Sequence, residues 1–160
     1  MGRDLPEGQG LNEPGAAAPI VVVHSLAHAV AALEAAAAAC RRVTLISAPS
    51  AGIYAGPGWW HALTEAGHEA APTAEASFIL DCGDDAGAAQ GAIRAGIAAV
   101  VFTGRADVAM RLAAIAEAAG GRVLTRRPVT ALDLGHWFFA DRETLRRHCA
   151  AWLASSKAIC

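Results

Sequence analysis

The sequence predicts an α/β fold, with about five parallel strands alternating with helices and a helical segment at the C-terminal end. Three observations predict it. Short apolar runs recur without the polar–apolar alternation of a half-exposed strand: Ile20–Val23, Val43–Ile46, Ser77–Leu80, Ala98–Phe102 and Arg122–Thr125. Alanine-rich stretches of helical length separate them. The strands end in Ser, Asp, Thr and Gly, residues that turn the chain and cap the next helix. Such alternation implies a parallel sheet covered by helices through right-handed crossovers.

In chain order, residues 1–18 carry Pro6, Pro14 and four glycines with little apolar bulk, a composition that predicts a flexible tail. After the first strand, Ser25 is placed to cap a helix over Leu26–Cys40, with Leu26, Val30 and Leu33 as its apolar stripe. The second strand leads into the turn-rich loop Ser47–Gly52. Pro57 stops any helix crossing it, so the next helix is expected over Trp59–His68, with Trp59 and Leu63 on its inner face. Ser77–Arg105 then reads as one strand–helix–strand unit, with its helix over Asp85–Gly96. Asp107 favours the start of another helix, whose core face is Val108, Leu112 and Ile115 and which Gly120-Gly121 ends. After Pro128 the rhythm changes. Leu132–Phe139 is short and rich in large apolar groups, and Asp141 caps a last helix lined by Leu145, Cys149 and Trp152.

At 160 residues the chain is long enough for one domain with a sizeable core. The organisation expected is a tail over 1–18, an α/β domain over 19–128, and a C-terminal segment over 129–160 that packs on the domain or on a partner. Hydrophobic residues reach 54%, but alanine supplies much of that, and no run approaches the roughly 18 apolar residues of a membrane span. The N-terminus lacks the basic start and apolar core of a secretion signal, so the expected location is cytoplasmic. A net charge of −2 gives no electrostatic case for nucleic acid. Cys40, Cys82, Cys149 and Cys160 form no CxxC pair and read as reduced thiols.

Chemistry in a parallel sheet gathers at the carboxyl ends of the strands. Asp81 ends the third strand there and is the candidate acid/base; the plainer alternative is a turn-ordering aspartate. Cys82 and His24 are candidate metal ligands on the same rim, zinc being the ion such a set would take, although a buried, inert Cys82 is the ordinary reading. Ser47, Ser50 and Gly52 lie in a loop able to present backbone N–H groups to an anion, yet it carries neither GxGxxG nor GxxxxGK[ST]. Thr103, Gly104 and Arg105 precede a helix and form a second candidate anion site. Asp84 and Asp85 read as caps, and Arg126-Arg127 and Arg146-Arg147 as solvated pairs.

Ala32-Leu33-Glu34-Ala35-Ala36, Val43–Ser47, Tyr54-Ala55-Gly56, Leu80-Asp81-Cys82-Gly83 and Ala92–Gly104 occur in that order. Over roughly residues 26–120 they resemble the first half of class II fructose-bisphosphate aldolases, with their "LEAA" helix, "YAG" turn and "LDHG" strand end. The resemblance implies half of a TIM barrel. It also implies that Asp81 matches the family's acid/base aspartate and that Cys82 stands where the family has a zinc-binding histidine. The family's other zinc histidines and its phosphate loops belong to the barrel's second half, outside the matched stretch. The function this implies is a non-catalytic, aldolase-like protein that binds a small phosphorylated or carboxylate ligand or a protein partner and forms a homo-oligomer. Two alternatives stand beside it: a metal-dependent lyase completed by another subunit, and a flavodoxin-like interaction module. Strand order separates the last, since a half barrel requires 1-2-3-4-5 and a doubly wound sheet 2-1-3-4-5.

Overall fold

A computed structural model describes residues 17–156; residues 1–16 of the expected tail, and Cys160, lie outside them. Six parallel strands form one sheet: β1 (Ile20–Val23), β2 (Val43–Ser47), β3 (Ala76–Asp81), β4 (Ala99–Val101), β5 (Arg122–Leu124) and β6 (Leu132–Asp133). Their order is β5-β4-β3-β2-β1-β6. The helices are α1 (Leu26–Ala38), α2 (Ala51–Tyr54), α3 (Gly56–Ala70), α4 (Ala86–Arg94), α5 (Ala106–Ala118) and α6 (Arg142–Ser155), with a 3₁₀ turn at Leu134–Trp137.

The strand order is sequential from β1 to β5, which excludes the doubly wound alternative. Each crossover from β1 to β5 steps the same way along the sheet, and β6 returns to the far side of β1, so the larger helices line up beside one another: α6 on α1, α1 on α3, α3 on α4, α4 on α5. This is the arrangement of a (β/α) barrel opened out. The main core lies between these helices and the sheet and includes Val21, Val23, Leu45, Leu80, Val100, Leu33 and Trp60. The opposite sheet face holds a smaller cluster of Val22, Ile46, Ile79, Ala99 and Val101. Burial on both faces explains the uninterrupted apolar runs.

Several helix faces depart from the expected ones. In α1 Leu26 is exposed, and the buried face is His28, Ala29, Ala31, Ala32, Leu33, Ala35 and Ala36. Alanine dominates because α1 touches the sheet, α3 and α6 at once, and only small side chains allow that approach. Pro57 does not stop α3 but stands in its first turn, where its missing N–H costs no helix bond. The inner residues of α3 are Trp60, Leu63 and Gly67, with Trp59 half-buried. In α5 the buried set is Ala109, Leu112 and Ala116, and Ile115 is exposed. In α6 it is Leu145, Cys149 and Leu153, with Trp152 half-buried.

The C-terminal segment is less an appendage than expected. Leu132 and Asp133 add β6 to the sheet beside β1. The helix α6 lies along α1, joined to it by ion pairs of Arg142 and Arg146 with Glu34. Arg41 donates to the carbonyls of Leu153 and Ser156 at the end of α6, where a cation opposes the helix dipole.

Candidate functional site

Asp81 is the last residue of β3 and is almost fully buried. Both oxygens of its carboxylate are held from within the chain. Oδ1 accepts the backbone N–H groups of Ser50 (3.0 Å) and Gly83 (2.8 Å). Oδ2 accepts Nη1 of Arg127 at 2.7 Å. Nη2 of Arg127 donates to the Ser47 carbonyl at 2.8 Å, and the Asp81 N–H donates to Ser47 Oγ at 2.9 Å. Three strand ends are thereby joined: β2 through Ser47, β3 through Asp81, and the connection after β5 through Arg127.

The local sequence makes this possible. Ser50 adopts a left-handed conformation, φ 61°, which turns its N–H towards Asp81. Gly83 has φ +55°, and a Cβ there would stand 2.6 Å from Ser50 Oγ. Gly52 begins α2 against Cys82, where a Cβ would fall 2.5 Å from Sγ. The loop Ser47–Gly52 does present backbone donors to an anion, but the anion is the Asp81 carboxylate. Within the loop the Ala51 N–H goes to the Ala48 carbonyl, and just past it the Ile53 N–H goes to that of Ser50. Ser47 Oγ donates to the Ala48 carbonyl. Thr103 is exposed, and its N–H is taken by the Gly83 carbonyl at 2.7 Å. Arg105 forks onto its own neighbour Asp107 (3.0 Å for each contact), so the charge expected at Gly104-Arg105 is already paired.

The expected metal set does not assemble. His24 Nε2 lies 2.6 Å from Asp133 Oδ1, across the β1–β6 pair. Cys82 is fully buried, and burial, with the Asp81 and Asp85 charges, pushes its thiol up to about 12. Among the described residues no group of three His, Cys, Asp or Glu side chains is placed to hold a metal. Cys82 and His24 belong to no such group. Asp85 caps α4 through Ala88 N–H at 2.7 Å, and Asp84 is exposed.

Two residues near the strand ends, Asp133 and His28, were not singled out in the sequence, and a third, Arg127, was expected in a solvated pair. Arg127 is instead half-buried as the partner of Asp81. Asp133 is the partner of His24 and also accepts the Gly135 N–H at 2.8 Å. His28 is completely buried; its Nδ1 accepts the His24 N–H at 3.2 Å, and its Nε2 has no partner among the described residues. Desolvation lowers the His28 pKa, the His24 charge adds to that, and the Phe138 carbonyl and Asp133 oppose it. For Asp133, partial burial pushes the pKa up, but the hydrogen bonds from His24 and the Gly135 N–H bring it below the usual value. The His24–His28 spacing of one helical turn was the available signal; Arg127 offered none.

No model of a known protein family and no curated protein matches the chain.

Proposed function

We propose that this chain is a non-catalytic, aldolase-like α/β protein that works by pairing with a second copy through the rim at its strand ends. The burial of Asp81 and its engagement from within the chain carry the reading. A general base must come within hydrogen-bond reach of substrate, whereas Asp81 is almost fully buried and each of its carboxylate oxygens is held by Ser50, Gly83 or Arg127. Exposed apolar residues in the loops after β1, β2 and β6 support the pairing: Leu26, Ile53, Tyr54 (69% exposed), Phe138 and Phe139 (97% exposed). Exposed apolar clusters of this kind accompany protein contacts. The alternative, a metal-dependent lyase, has less support, because His24 is engaged by Asp133 and no group of three metal-ligating side chains is assembled among the described residues.

Sedimentation of the purified protein tests the reading. A dimer that becomes monomeric in Tyr54→Ser/Phe139→Ser is expected, with no turnover of ketose bisphosphates in either form. A monomer at high concentration, or zinc-dependent turnover abolished by Asp81→Asn, overturns it.

A further inference from the structure

The two halves of the sheet part at the amino ends of β3 and β4. From Ala76 to Ile79, β3 is paired with β2 residue by residue. It is paired with β4 only at Leu80↔Val100 and Asp81↔Val101. The first half of β3 therefore turns an unpartnered edge towards β4, and main-chain donors and acceptors on such an edge await a partner. A cleft of about 510 Å³ occupies the split, bordered by Ser77 and Phe78 on one side and Ala98 and Ala99 on the other. Its size falls within the range of small-molecule sites, about 300–1,000 Å³.

The lining has a definite chemistry. Phe78 supplies an aromatic wall and stands edge-to-face on Trp60, with centroids 6.4 Å apart. Trp60 is buried, and its indole N–H has no partner among the described residues. Arg122 lies at the mouth, exposed, and makes no ion pair among the described residues. Among the described residues no acidic side chain lines the cleft. Its borders are kept low by Gly96 and Gly120, which follow α4 and α5 at φ +86° and +76°. A side chain there would be strained, and nothing lies within 4 Å of where its Cβ would stand.

We propose that this split binds a small, flat monocarboxylate of aromatic or heteroaromatic type, its ring against Phe78 and its carboxylate on Arg122. The guanidinium supplies the charge and a two-pronged donor for a carboxylate. The unpartnered β3 edge supplies hydrogen bonds for ring heteroatoms. The site lies at the opposite end of the strands from the Asp81 rim, and it does not depend on the pairing of two copies.

Titration with quinoline-2-carboxylate, followed by calorimetry and by amide NMR shifts, tests the proposal. Expected is one site per chain with a Kd below about 1 mM and shifts at Ser77, Phe78 and Ile97. Arg122→Gln should weaken binding at least ten-fold, the equivalent of about 1.4 kcal/mol. Ala98→Trp should abolish it by filling the cleft, with an unchanged thermal transition in both variants. Quinoline itself should bind more weakly than the acid. The absence of binding at millimolar probe overturns the proposal. So does an affinity unchanged in both variants, or shifts confined to the rim around Arg127.

Discussion

Arg127 reaches from the connection after β5 to Asp81, 46 residues earlier, and places Nη1 2.7 Å from Oδ2 at a carboxylate that is 4% exposed. Removing one member of a buried pair leaves the other uncompensated, which is costlier than the pair is worth. Arg127→Leu is therefore expected to lower the unfolding free energy by about 3 kcal/mol. Asp81→Asn is expected to lose less, about 1–2 kcal/mol, because it keeps the shape and an acceptor, and the remaining guanidinium is nearer to water. Urea unfolding of both variants checks the order; a larger loss in Asp81→Asn than in Arg127→Leu would contradict this account.

The contact between Gly52 and Cys82 predicts a coupled pair of substitutions. Gly52→Ala drives a methyl to 2.5 Å from Sγ, so either α2 or the end of β3 must shift. The expected loss is about 1–3 kcal/mol, the ordinary cost of overpacking. Cys82→Ala removes the obstructing sulfur. The double variant should be more stable than the sum of the single losses implies, by at least about 0.5 kcal/mol. Strict additivity would mean that the strain is absorbed elsewhere.

Thiol chemistry should divide the cysteines sharply. Cys40 is exposed, whereas Cys82 and Cys149 are buried, with thiols pushed up to about 12, by desolvation in both and by nearby carboxylates at Cys82. At pH 8 iodoacetamide should alkylate Cys40 readily and spare the two buried thiols until denaturant is added. Peptide mapping distinguishes the sites. Rapid native labelling of Cys82 would reinstate it as a reactive group.

Acid should weaken the fold through His28. Its pKa is lowered in the folded chain, so below about 6.5 the unfolded state binds the proton more readily. The stability that His28 lends is thus complete above about pH 6.5 and is lost as pH falls towards the folded value. The groups around it are His24, whose charge adds to the effect, and Asp133, which opposes it. Asp133, itself lowered, adds a separate loss at more acid pH, below its unfolded value of 3.8. Melting temperatures taken from pH 7.5 to 5 should fall in the wild type and flatten in His28→Asn. An equal slope in both would remove His28 from the account.

The strands were legible because each is an apolar run buried on two faces, a pattern that needs no knowledge of the partner. The caps Ser25, Asp85 and Asp141 were legible for the same reason, since a cap acts within its own turn. The helix faces were not. Leu26, Val30 and Leu33 mark the largest aliphatic side chains of α1, but three neighbours crowd that helix and select mainly for alanine. β6 escaped notice because two residues carry no period. Asp81 was found from its place at a strand end. Its pairing was hidden, because it follows from the path of the β5–β6 connection, which brings Arg127 to Asp81 and Ser47.

The short pairing of β3 with β4 also divides the molecule mechanically. One body comprises β6, β1, β2 and most of β3 with α6, α1 and α3; the other comprises β4 and β5 with α5. Two residue pairs join their strands, and Asp81 belongs to one of them; two further main-chain bonds, from the Cys82 N–H to the Val101 carbonyl and from the Thr103 N–H to the Gly83 carbonyl, extend the seam. Arg127 lies on the connection from β5 to β6 and grips the first body at Asp81 and Ser47, so the ion pair acts as a clasp across that seam. Amide exchange should then reveal two cooperative units, with β4 and β5 opening at lower free energy than β1 and β2. Arg127→Leu should widen that difference, because it releases the clasp and leaves both bodies otherwise intact.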